Sequence, residues 1–165
     1  MNDNTLSALK WIVEILNENN MPYRVGGGMA AFFYGSSRKI NDIDISFSGE
    51  NFSRLMPFVE EYVVIGPKHY LDEKWDCITL SLAYNGQDID LTDVNTLLMK
   101  SSDGSTWLKN KEIYQKWPDV KKDIDGVSVT LMHPKVLLEY KQHLDGGHQE
   151  FDRNFLKKLI ESDQY

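Results

Sequence analysis

The sequence contains one cysteine, Cys77, so it can form neither an internal disulfide nor a cysteine-built zinc cluster. That residue sits in the apolar run CITLSL, where a thiol ordinarily serves as a small buried hydrophobe. Basic side chains are outnumbered, with 18 Lys and Arg against 25 Asp and Glu, and the net charge is −7. Such a balance counts against gripping a long nucleic acid through its phosphates, although a small local basic patch remains compatible with it. No apolar stretch approaches the roughly 18 residues that a membrane span needs. The opening MNDNTLS lacks a basic region followed by an apolar one, so the expectation is a soluble, cytoplasmic protein without membrane contact. Internal repeats, low-complexity tracts and Pro/Ser-rich linkers are missing too. What is there, 165 residues with 41% apolar and 26% charged, suits one domain spanning 1–165, with a core over about 21–132 and C-terminal helices over about 134–161.

The apolar positions Leu9, Ile12, Val13 and Leu16 recur at helical spacing, and Asn19, Asn20 and Pro22 end that helix. Tyr23 to Val25 reads as a short strand running into three glycines, and Met29 to Tyr34 as a buried helix ending at Gly35. Asp42 to Phe47 alternates, with Ile43, Ile45 and Phe47 inward. A helix is expected over Phe52 to Tyr62 and a strand over Val63 to Ile65. CITLSLAY and QDIDLTDV flank Asn85-Gly86, and KDI and VSVTLM flank Asp125-Gly126, which makes two antiparallel hairpins. Between them, Trp107 to Trp117 reads as an aromatic helical stretch. Two helices close the chain, one headed by Pro134 and one from about Gln149 to Ile160. The fold class is therefore α/β (α+β), a mixed β-sheet flanked by helices.

The glycines at 26–28 invite a phosphate reading, yet neither G-x-x-x-x-G-K-[ST] nor G-x-G-x-x-G is present, and a plain strand-to-helix turn would use the same residues. Asp42 and Asp44 are more informative. Two residues apart on a strand, they project from one face about 7 Å apart along the chain. Like charges so arranged need either open solvent or a cation. Asp88 and Asp90 repeat the pattern on the first hairpin. Carboxylates from two strands suit Mg²⁺, which takes one or two of them and leaves room for phosphates and water, and they permit a two-metal site. The competing reading is a solvated sheet face decorated with acids. His69, His133, His143 and His148 have no metal-ligand spacing to rival the carboxylates.

The stretch GGMAAFFYGSSRKINDIDI resembles the signature of the nucleotidyltransferase superfamily related to DNA polymerase beta. The likeness is to its minimal bacterial branch, which includes lincosamide and aminoglycoside nucleotidyltransferases and the nucleotidyltransferase partners of toxin–antitoxin modules. Gly27, Gly28 and Ala30 match the opening, Gly35 and Arg38 the middle, and Asp42 and Asp44 the metal pair. The IDL around Asp90 resembles the third acidic strand, and PKVLLEYK resembles the proline-headed helix that carries a late lysine, here Lys141. Ile40 departs from the threonine or serine often found two residues after the arginine.

The resemblance implies a two-metal, NTP-dependent enzyme holding two Mg²⁺ ions, with Mn²⁺ as an alternative, on Asp42, Asp44 and Asp90. It implies a triphosphate bound near the Gly27 and Gly28 amides, with Arg38 and Lys141 neutralising the leaving pyrophosphate. The acceptor would be a hydroxyl on a small molecule, by preference over RNA or protein. A homodimer or a toxin-type partner is compatible with this. Asp88 competes with Asp90 for the third position; Asp90 is favoured for its apolar neighbours on both sides. Ser36 and Ser37 can cap the turn or contact phosphate, and Trp107, Tyr114 and Trp117 can stack a base or fill core. An alternative from another class is a catalytically inactive nucleotidyltransferase-like fold kept as a binding module, antitoxin-like or scaffold.

Overall fold

A computed structural model describes residues 1–163 and 165. The order is α1 (Asp3–Glu18), β1 (Tyr23–Val25), α2 (Gly27–Phe33), β2 (Asp42–Phe47), α3 (Phe52–Val59), β3 (Val63–Leu71), β4 (Trp75–Tyr84), β5 (Gln87–Asp93), β6 (Leu98–Lys100), β7 (Trp107–Lys109), α4 (Asn110–Tyr114), β8 (Val120–Ile124), β9 (Val127–Leu131), α5 (Pro134–Lys141) and α6 (Gly147–Ser162). Among these residues no helix is long and apolar enough to cross a membrane.

The strands form one 9-stranded sheet in the order β7-β6-β4-β5-β2-β1-β9-β8, with β3 paired to β4 as an outer strand. Two pairings are parallel, β2 with β5 and β1 with β9. The two hairpins form where the Asn-Gly and Asp-Gly turns require, with Asn85 and Gly86 at φ of 51° and 75° and Asp125 and Gly126 at 50° and 83°.

β2 alternates as read, burying Ile43, Ile45 and Phe47. Each such side chain contributes on the order of 2 kcal/mol by leaving water. A one-residue slip would turn those three outward and the aspartates inward, so the apolar residues fix which way the acids face. The buried stripe of α1, Leu9, Ile12, Val13 and Leu16, belongs to the same core.

Several expected boundaries move. The helix expected to run to Tyr62 ends at Val59 and tightens into a 3₁₀ turn over Glu60–Tyr62. β3 continues six residues past Ile65, to Leu71, because β4 offers it a long edge to pair with. The stretch expected to be helical from Trp107 to Trp117 instead begins as β7, paired to the short β6, and only Asn110–Tyr114 is helical. Pairing with a neighbouring strand overrides local periodicity there. The last helix starts at Gly147, two residues before its expected start.

Candidate active site

Parallel pairing of β2 with β5 brings Asp42 beside Asp88 and Asp44 beside Asp90. Neighbouring strands lie about 4.8 Å apart, so acids distant in sequence become adjacent on one face. Asp42 and Asp88 are exposed, whereas Asp44 and Asp90 are half-buried. Asp93, an odd number of residues along β5, points the other way and accepts hydrogen bonds from the Gly49 and Asn95 amides at 2.8 and 3.1 Å. It holds a loop.

A cleft of about 650 Å³ opens over the acidic face. Its walls contain Asp42, Asp44 and Asp90 together with Gly27, Gly28, Arg38 and Lys141, so these seven residues meet in one place. Asp88 is not among the lining residues. Ser81, the register partner of Asp90 on β4, donates its hydroxyl to Asp90 Oδ1 at 2.5 Å.

The glycine turn fits tightly around these groups. The Gly26 amide donates to the Asp44 carbonyl at 2.9 Å, fixing the start of α2 against β2. Gly27 has φ +56°, and a Cβ added there would stand 1.7 Å from Asp44 Oδ2. At Gly28 a Cβ would stand 2.0 Å from Arg38 Nη2. Thus one glycine makes room for the carboxylate and the next for the guanidinium. The Gly27 N–H itself donates to the Tyr140 hydroxyl at 3.1 Å.

The two cations converge on a residue the sequence reading did not single out. Arg38 Nε donates to Asp152 Oδ1 at 3.1 Å, and Lys141 Nζ lies 3.0 Å from Asp152 Oδ2. Lys141 also donates to Gln149 Oε1 at 2.9 Å. A signal for Asp152 was present: it stands four residues before the buried Leu156, hence on the inward face of α6. Ser36 accepts a long hydrogen bond from the Arg38 amide at 3.4 Å, a turn contact. Of the expected aromatics, Tyr114 is buried in the cleft wall and bonded to Asn110, while Trp117 stacks on His133 with ring centroids 6.1 Å apart. Trp107 carries the Lys100 ammonium 4.9 Å from its ring centre. The exposed side of the cleft is lined instead by Tyr70 and Trp75 of β3 and β4, which no local motif marked.

Charge crowding shows in the acids. Burial, then repulsion from Asp42 and Asp90, pushes the Asp44 carboxyl up to about 7, against the pull of Lys141 and Arg38. Burial also raises Asp90, opposed by the Ser81 hydrogen bond. Burial lowers Lys141, opposed by Asp152. Among the described residues no three His, Cys, Asp or Glu side chains are already drawn together tightly enough to grip an ion. The donor set nonetheless fits a hard divalent cation: carboxylate oxygens, two of them with ionisation opposed chiefly by burial, open to a cleft with room for phosphate.

No protein-family model and no curated protein matches the sequence. Solved structures do match in fold. A candidate nucleotidyltransferase from Thermotoga maritima superposes with a TM-score of 0.69 at 19% identity, covering 98% of this chain and 96% of that one. The antibiotic-resistance factor ANT(2'')-Ia, in complex with adenylyl-2''-tobramycin, gives 0.63 at 15% identity over 97% of this chain and 91% of its own. The lincosamide antibiotic adenylyltransferase LnuA, with lincomycin bound, gives 0.61 at 13% identity over 96% and 99%. The fold is nucleotidyltransferase-like.

Proposed function

We propose that this chain is a magnesium-dependent nucleotidyltransferase that moves a nucleoside monophosphate from an NTP to an acceptor hydroxyl and releases pyrophosphate. The observation that carries this reading is the meeting of Asp42, Asp44 and Asp90 with the glycine turn in one cleft of a nucleotidyltransferase-like fold. Asp42, Asp44 and Asp90 would hold two Mg²⁺ ions, or Mn²⁺ in their stead. When bound, the ions supply Lewis-acid stabilisation of the charge on the α-phosphate and lower the pKa of the attacking hydroxyl.

The chain's own residues do the rest. The triphosphate lies beside the Gly27–Gly28 turn, where the missing side chains let Asp44 and Arg38 close up to the backbone, and Arg38 and Lys141 face its negative charge. Asp90 accepts the proton of the acceptor hydroxyl. The acceptor oxygen bonds to the α-phosphorus as the bond to the bridging oxygen of the β-phosphate breaks, and pyrophosphate carries away the released electron pair. A small-molecule acceptor is favoured because ANT(2'')-Ia and LnuA were solved with antibiotic ligands and because a net charge of −7 disfavours RNA. The setting is the cytoplasm, where NTPs and magnesium are both available.

The test is calorimetric titration of ATP, GTP, CTP and UTP, each with and without Mg²⁺, into the wild type and Asp42→Asn/Asp44→Asn. Binding that requires both magnesium and the aspartates is expected. Absence of binding for every nucleotide refutes the transferase and leaves a fold used for partner recognition.

A further inference from the structure

The most deeply buried charge bordering the cleft lies outside the glycine and aspartate motif. Asp152 is 0% exposed, in the first half of α6. Taking a carboxylate out of water costs several kcal/mol unless cations and hydrogen bonds offset it. Here the offset comes from two segments distant in sequence, Arg38 between α2 and β2, and Lys141 at the end of α5. Arg38 is bound through Nε, its Nη1 donates to the Lys39 carbonyl at 3.3 Å, and its Nη2 passes over Gly28. Lys141 has a side chain only 2% exposed, approaches Oδ2 at 3.0 Å and also donates to Gln149 Oε1 at 2.9 Å.

One carboxylate therefore gathers two cations, and the trio keeps one net positive charge in the wall of the cleft. Without Asp152 the two like charges would repel and relax toward water. We propose that Asp152 is a positioning residue that fixes Arg38 and Lys141 as one cationic pair for the polyphosphate of the incoming nucleotide. The inference rests on the nucleotidyltransferase reading above. Asp152 touches no substrate in this scheme and acts through the two cations. A mere clamp of α6 onto α5 would use the same contacts, so the test must read phosphate recognition itself.

Inorganic tripolyphosphate, the nucleoside triphosphate that the wild type binds, and its monophosphate are titrated with Mg²⁺ into wild type, Asp152→Asn, Lys141→Met and Lys141→Met/Asp152→Asn. Unfolding midpoints are recorded alongside. The Asp152→Asn change is expected to weaken tripolyphosphate and triphosphate at least about tenfold, the scale of a lost charge-assisted hydrogen bond, and the monophosphate by less than about threefold. Should Asp152→Asn fail to fold, the double variant, which loses one charge of each sign, is compared with Lys141→Met; weaker tripolyphosphate binding in the double variant is expected because Arg38 has lost its anchor. Equal affinities in either comparison, or equal losses for mono- and triphosphate, overturn the positioning role and leave a helix clamp. A wild type that binds no nucleoside triphosphate refutes the transferase reading and this inference with it.

Discussion

Gly27 and Gly28 are neighbours in one turn, yet replacing each with alanine should damage different things. At Gly27 the backbone is at φ +56°, a conformation that costs an L-residue about 1–2 kcal/mol. The new methyl would also stand 1.7 Å from Asp44 Oδ2, so the carboxylate must leave its position. Together these predict a loss of about 2 kcal/mol or more, which lowers the melting midpoint of a chain this size by roughly 4–8 °C. On the proposed reading Mg²⁺ stabilises the wild type, and that stabilisation should shrink as well. At Gly28 the φ is ordinary, and the obstructed atom, 2.0 Å away, is Nη2 at the tip of the Arg38 side chain, which can shift only at the expense of its contact with Asp152. Alanine gains up to about 1 kcal/mol of helix preference there while the guanidinium shifts. Stability should fall less than at Gly27, through the disturbed Arg38–Asp152 pair, and nucleotide affinity should fall. Thermal unfolding with and without Mg²⁺, paired with nucleotide titration, separates the two. Equal midpoints for the two variants, or a Gly28→Ala protein that binds nucleotide as the wild type does, would refute the reasoning.

Asp44 predicts a pH dependence. Its folded pKa of about 7 lies above the ordinary carboxylate value, so between about pH 4 and 7 the folded chain keeps a proton that the unfolded chain has released. Metal-free wild type should lose stability across that window relative to Asp44→Asn, on the order of a few kcal/mol, and Mg²⁺ should flatten the difference; parallel profiles in thermal unfolding would contradict this. Ser81→Ala removes the hydrogen bond that lowers Asp90, so the acid limb of the pH–rate profile should move to higher pH, and an unmoved limb would separate Asp90 from proton transfer. Gly86→Ala tests backbone strain alone, because φ is +75° and no atom lies within 4 Å of the added methyl. It should cost about 1 kcal/mol in urea denaturation with nucleotide binding unchanged.

Much of this could be read in the residues because it is written in short-range patterns. Period-two alternation set the faces of β2 and β5, and Asn85-Gly86 and Asp125-Gly126 set both hairpins. Pro134 opened α5 at its first turn. Other features depend on contacts that no window contains. β6 and β7 have three residues each and exist because β6 pairs with β4 on one side and with β7 on the other. The apolar neighbours of Asp90 favoured it over Asp88 in the sequence, but that Asp90 lines the cleft and sits beside Asp44 shows only once β5 is paired with β2. Asp152 faces inward by its helical position, but only the packing of α6 reveals that its partners are Arg38 and Lys141.

The parallel pairing of β2 with β5 also bears on folding kinetics. Both hairpins can close locally, but Asp44 meets Asp90 only after the whole of α3, β3 and β4 has been looped out between them. Closure entropy delays such a contact, and mutual repulsion of the acids opposes it further at neutral pH. The acidic face is therefore expected to assemble late, after both hairpins have closed and in the same event that zips the middle of the sheet.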